Sequence, residues 1–170
     1  MATCSILDRL HEDSVVVFVG AHPDDETLVG PFLAFCADRC REVVVVSLTP
    51  GEAGWNLHKE DLTQTLAEVR RKEYADAAKV LGCTPVVFDY VNGASRAHPQ
   101  GWAVLELKPA AVQRWRTQGD KEQTADSAYA RWTAERGAPA ERLRQLFQDK
   151  RATVVIALEP EKGFTLSPER

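Results

Sequence analysis

Three short apolar runs stand out along the chain, at residues 15–20 (VVVFVG), 43–48 (VVVVSL) and 153–158 (TVVIAL). Each is rich in β-branched residues, bounded by polar or turn-forming ones, and apolar without alternation, the pattern of strands buried on both faces. A weaker run at 86–90 (VVFDY) reads as a fourth strand. Between the runs apolar residues recur at helical spacing. Strands alternating with helices predict an α/β fold, with a mostly parallel sheet covered on both faces.

The first helix is expected from about residue 25 or 26 to 39, with Leu28, Phe32, Phe35 and Cys36 inward and Pro31 forcing a kink or a late start. Its acidic beginning suits the helix dipole. The second is expected over 62–81, stopped by Gly82, with an inward stripe of Leu62, Leu66, Val69, Glu73, Ala77 and Val80. Glu73 interrupts that stripe. If buried, its carboxylate needs a partner, for which Arg70 one turn back is the candidate; otherwise it sits at a partly exposed edge. Residues 92–151, punctuated by Gly93, Gly101, Pro109, Gly119 and Gly137, read as an insertion of loops and helices carrying Trp115, Tyr129, Trp132, Leu143, Leu146 and Phe147.

With 170 residues the chain builds one hydrophobic core, and a single domain over 1–170 is expected. A 44% hydrophobic and 27% charged composition excludes disordered, collagen-like and coiled-coil chains. The longest apolar stretches are far short of the roughly 20 residues of a membrane span. Charges in MATCSILDRLHEDS leave no apolar centre for a secretory signal, so a cytoplasmic protein is expected. In that compartment Cys4, Cys36, Cys40 and Cys83 read as reduced thiols. The four-residue spacing of Cys36 and Cys40 suits core packing better than a zinc knuckle. A formal charge of -4 excludes a dedicated nucleic-acid surface. The first half leans acidic and residues 94–151 lean basic, either a rim that favours anionic substrates or simply solvated helix faces.

Chemistry concentrates in Gly20-Ala21-His22-Pro23-Asp24-Asp25-Glu26, directly after the first strand. In open parallel sheets ligands bind outside the carboxyl ends of the strands. Beside a histidine, three acids within five residues repel one another unless hydrogen bonds or a cation compensate them. Helix capping accounts for each residue taken singly. Together they suit a divalent metal, since imidazole and carboxylate are ligands that zinc accepts. One acid then binds metal while its neighbour stays free to move a proton.

The stretch VFVGAHPDDE at 17–26, continued by Thr27-Leu28, resembles the signature of the LmbE-like, or PIG-L-like, N-acetylglucosaminyl deacetylases. VVVVSLTPGE at 43–52 resembles that family's second strand with its Thr-x-Gly-Glu turn, and VRRKEYADAAKVLG at 69–82 its Arg-x-x-Glu helix. The resemblance implies a Rossmann-like three-layer fold and a zinc-dependent amide hydrolase acting on N-acetylglucosamine-type sugars or related conjugates, with zinc or another divalent metal as cofactor. It implies His22 and Asp25 as metal ligands, Asp24 as general base, Arg70 as a substrate-pocket residue and Glu73 as its support.

The family's late segment, Asp-Pro, a glycine-aromatic pair, then His-Pro-Asp-His, is matched here by EPEKGFTLSPER at 159–170. By that match Ser167 stands where the oxyanion histidine belongs and Arg170 where the third metal ligand belongs. Arginine cannot give up its proton to bind a metal. Glu159, Glu169, His58 and His98 are the alternative donors. Family members continue beyond this point, so the fold is expected to be short at its C-terminal end. Two other readings stay open: an inactive or truncated relative that binds a ligand, and a metal-dependent phosphoesterase.

Overall fold

The computed structural model describes residues 5–52, 65–91 and 125–158. They form a four-stranded, all-parallel sheet of β1 (Val15–Gly20), β2 (Glu42–Ser47), β3 (Thr84–Val87) and β4 (Val154–Ala157), in the order β3-β2-β1-β4. The valine runs need no alternation because both faces are covered and successive side chains point to opposite sides. Val16, Phe18, Val43 and Val45 pack on one face with Leu33, Cys36, Tyr74, Ala78 and Cys83. Val15, Val17, Val44 and Val46 pack on the other with Phe88 and Tyr90. This is the α/β, Rossmann-like three-layer arrangement expected.

Helix α1 (Gly30–Ala37) starts late, as Pro31 requires, after a 3-10 turn at Asp25–Val29. A proline in the first helical turn loses no hydrogen bond, which sets the start there. Leu33 and Cys36 are buried, Phe32 and Phe35 are half-buried, and Leu28, expected inward, is exposed in the 3-10 turn. Burial pushes the thiols of Cys36 and Cys83 up to about 11, as suits packing rather than reactivity. Cys36, Cys40 and Cys83 are all free; Cys4 lies outside the described residues.

Helix α2 (Leu66–Val80) is opened by a capping box in which Thr65 N–H donates to Glu68 Oε2 at 2.8 Å and Glu68 N–H to Thr65 Oγ1 at 3.3 Å. The expected inward stripe is one position off. Tyr74 and Ala78 face the sheet, whereas Glu73 is exposed and Val80 is 87% exposed. Turning the helix by one residue buries a phenol and a methyl and leaves the Glu73 carboxylate in water, avoiding its desolvation. The helix ends at Gly82, with φ +74, where an added Cβ would lie 3.1 Å from that of Ala37. Gly82→Ala should therefore lower the unfolding free energy by about 1–2 kcal/mol. A reduced urea midpoint at unchanged slope would register this, and an unshifted midpoint contradicts the cap.

The fourth predicted strand begins two residues earlier than its apolar run and stops at Val87. Asp89, at φ +59, breaks the strand, yet Phe88 and Tyr90 N–H groups still donate to Ser47 and Leu48 carbonyls. Within the expected insertion, α3 (Ala125–Arg136) and α4 (Pro139–Lys150) cover the second sheet face with Trp132, Leu143, Leu146 and Phe147; Tyr129 is exposed. Tyr90 ties this layer down by donating to Gly137 O at 2.7 Å, as Trp132 does to Val91 O at 2.8 Å. Trp115 and the rest of 92–124 lie outside the described residues. Among the described residues no helix is long and apolar enough to cross a membrane.

Candidate functional site

The strand order reverses at β1: the chain steps outward through β2 and β3, then returns to place β4 on the other side of β1. In open parallel sheets such a reversal, outside the carboxyl ends of the strands, is the place where ligands bind. The loop leaving β1 there is the acid-rich turn.

Its first residue, Gly20, lies under Asp25. A Cβ on Gly20 would sit 2.7 Å from Asp25 Cβ and 3.1 Å from Phe18 Cε1, so only glycine fits. Asp25 folds back, and its Oδ2 accepts the N–H groups of Ala21 at 2.6 Å and His22 at 3.0 Å. The turn after β2 clasps the same loop. Leu48 N–H donates to Gly20 O, and both Thr49 N–H and Thr49 Oγ1 donate to Ala21 O, while buried Ser47 donates to Thr49 O. Thr49 and Gly51 are thus building residues of the site that the sequence did not assign. Gly51 has φ +73, and a Cβ there would come within 3.0 Å of both Arg70 Nε and Pro23 Cδ. A glycine following a strand end and Pro50 was the available signal.

Arg70, on α2, passes through that gap and donates to Pro23 O and, at 2.7 Å, to Asp24 Oδ2. Its side chain is 18% exposed, against 61% for Asp24. The guanidinium is therefore a half-buried fixture under an accessible carboxylate. Glu73, expected to support Arg70, is exposed, because α2 is rotated; Pro23 and Asp24 hold Arg70 instead.

Asp24 occupies the N-cap position of the 3-10 turn, but its side chain makes no capping bond. Capping does not account for it. Its backbone is at φ +141 and ψ -17, a conformation that costs about 1–3 kcal/mol in a residue with a side chain. The surroundings hold it: Thr27 N–H and Oγ1 donate to Asp24 O, and Asp24 N–H donates to Glu26 Oε2 at 3.0 Å. Glu26 is 3% exposed, and burial raises its pKa above the usual carboxylate range. Burial likewise raises the Tyr74 phenol, with the Glu26 and Asp25 charges adding to the effect.

His22, Asp24 and Asp25 thus share one turn, with His22 and Asp24 at its exposed surface and Arg70 joined to Asp24. Three acids against one guanidinium leave the turn net negative, as suits a cation. Two donors, His22 and Asp25, are of the type zinc takes. Among the described residues no group of three or more His, Cys, Asp or Glu is placed to hold a metal. Ser167, Arg170, Glu159, Glu169, His58 and His98 lie outside the described residues. By the chemistry of their donor atoms His22 and Asp25 suit a divalent metal, and a complete ligand set would need donors from outside the described residues.

The family model described as "PIG-L: GlcNAc-PI de-N-acetylase" matches residues 17–167. A 1D-myo-inositol 2-acetamido-2-deoxy-alpha-D-glucopyranoside deacetylase from Kineococcus radiotolerans is 29% identical over 96% of this chain and 44% of its own length. The protein of the same name from Mycobacterium bovis is 30% identical over 91% of this chain and 47% of its own. The chain thus spans about half the length of the curated relatives it matches. A deacetylase crystallised with teicoplanin aligns with a TM-score of 0.50 at 16% identity, over 85% of this chain and 58% of that one, a likeness of fold.

Proposed function

Because the chain belongs to the PIG-L family of GlcNAc-PI de-N-acetylases, we propose that it is a metal-dependent amide hydrolase that removes acetyl from an N-acetylated amino sugar or conjugate. The observation that carries this reading is Asp24: an accessible carboxylate, in a strained backbone, gripped by Arg70 at the mouth of the sheet and spared any capping duty. The names of the two curated relatives, deacetylases of an acetamido sugar, support the substrate class.

In this reading His22 and Asp25 hold zinc or another divalent ion. Bound there, the ion would supply Lewis acidity toward the acetyl carbonyl and acidify a water towards a pKa of about 7. Asp25 is aimed by the two backbone amides on its Oδ2, so its orientation is set before any ligand arrives. Asp24 takes a proton from the attacking water and returns it to the departing amine nitrogen. Arg70 holds the Asp24 carboxylate in place through their ion pair, and its exposed flank reaches the substrate. Water adds to the acyl carbon, the C–N bond breaks, and acetate and a free amine leave.

Ser167 and Arg170 favour one second reading, a ligand-binding relative without metal, in which Arg170 pairs with the carboxylates in place of a cation. Zinc by elemental analysis, together with amine release from N-acetylglucosamine compounds, decides between them: about one zinc per chain with hydrolysis supports the enzyme, and an inert, metal-free protein supports the binding module. Cleavage of an aryl phosphate with the acetyl sugar left intact would point to a phosphoesterase. Ser167→His combined with Arg170→His should tighten zinc binding at least about 10-fold, by analogy with the cost of lost metal-site partners. Titration calorimetry measures it, and no gain would mean that the tail is misaligned with the family motif.

A further inference from the structure

Glu26 is the one acid of the turn that the proposed chemistry leaves unused, and it is the most deeply buried. A carboxyl at 3% exposure is expensive to desolvate unless it satisfies something. What it satisfies is the Asp24 N–H, which donates to Glu26 Oε2 at 3.0 Å. In an ordinary capped turn the cap side chain would bond the following amides, and here Asp24 does not. Glu26, two positions on, instead reaches back to the cap residue's own N–H, as the N3 carboxylate does in a capping box. The division of labour frees the Asp24 carboxylate for Arg70.

We propose that Glu26 is a positioning residue for Asp24: its buried carboxyl fixes the Asp24 N–H, and so holds the left-handed turn that presents the Asp24 carboxylate at the mouth of the sheet. The inference rests on the reading of Asp24 as the general base. With φ at +141, Asp24 leaves this conformation when its restraints weaken. Thr27 restrains its carbonyl and Arg70 its side chain, but the N–H has Glu26. The Glu26 charge acts on the Tyr74 phenol of α2 and on the Cys83 thiol just before β3. An acceptor oxygen is all the geometry asks, so glutamine at this position serves and leucine does not.

The test follows amide hydrogen exchange at Asp24 by NMR in the wild-type protein, Glu26→Gln and Glu26→Leu. Asp24 N–H should exchange at least about tenfold more slowly than in an unstructured chain in the wild type and in Glu26→Gln, and lose that protection in Glu26→Leu. The Val17 and Val45 amides, central in the sheet, report whether each variant is folded. In turnover, Glu26→Leu should lose about 10²-fold in kcat with KM little changed, and Glu26→Gln should recover most of it. An unprotected Asp24 amide in the wild type overturns the proposal even if Glu26→Leu fails to fold. So does a folded Glu26→Leu that keeps the protection, or a Glu26→Gln that loses it. Failure of the deacetylase reading looks different: no amine is released by the wild type, while the Asp24 amide remains protected through Glu26.

Discussion

Asp24→Asn should lower kcat for release of the amine from an N-acetylated amino sugar by about 10²–10⁴-fold, the usual worth of a positioned general base. The substitution isolates the proton. Asparagine keeps the size of the side chain, offers Oδ1 to Arg70 in place of the carboxylate oxygen, and tolerates positive φ better than most residues. What it cannot do is accept a proton from the attacking water. Asp24 is 61% exposed, so loss of its ion pair with Arg70 should cost no more than about 1 kcal/mol of stability. His22 and Asp25 are untouched. Zinc content, thermal midpoint and KM should therefore hold while turnover collapses, and a variant with near-normal kcat would remove Asp24 from the chemistry. A parallel loss of zinc would instead mean that Asp24 ligates the metal and that the base lies elsewhere.

Much of the architecture was legible because the strands announce themselves. A run such as VVVFV can be buried on both faces only at the centre of a covered sheet, and residues 15–20 became β1 without adjustment. Pro31 set the start of α1 for an equally local reason. The rotation of α2 was less readable, since Val69, Ala77 and Val80 trace an apolar stripe about as convincing as that of Tyr74, Ala78 and Leu81. Only the sheet decides, by accepting a phenol where the other stripe would have buried Glu73. In the candidate site, the turn was marked by acids crowded beside His22, and Arg70 only by the resemblance of its helix to the Arg-x-x-Glu motif. The partner of Arg70 was not legible. Asp24 lies 46 positions away in the chain, and the contact depends on a gap left by Gly51, which no spacing rule reveals. Glu26 was read merely as one acid among three, because burial is a tertiary property.

Gly20→Ala should be among the most damaging single methyl groups that could be added to this protein. Neither neighbour of the new Cβ is free to yield. Phe18, whose Cε1 would lie 3.1 Å away, is buried in the sheet. Asp25, whose Cβ would lie at 2.7 Å and Oδ2 at 3.0 Å, is held by the Ala21 and His22 amides. If the strand end shifts, the Leu48 bond to Gly20 O weakens. If Asp25 swings away, two backbone donors lose a charged acceptor, at about 1.5–3 kcal/mol for hydrogen bonds of that kind. Overpacking adds about 1–3 kcal/mol. A combined loss of about 3 kcal/mol or more is a large share of the 5–15 kcal/mol that holds a typical domain together. Gly30→Ala is the control, since its Cβ would meet nothing nearer than Leu81 Cδ2 at 3.8 Å and the residue opens a helix, so stability there should hold or rise. Denaturant unfolding of the two variants measures the difference. Equal midpoints would mean that Asp25 does not rest on Gly20, and the orientation of the proposed metal ligand would lose its structural cause.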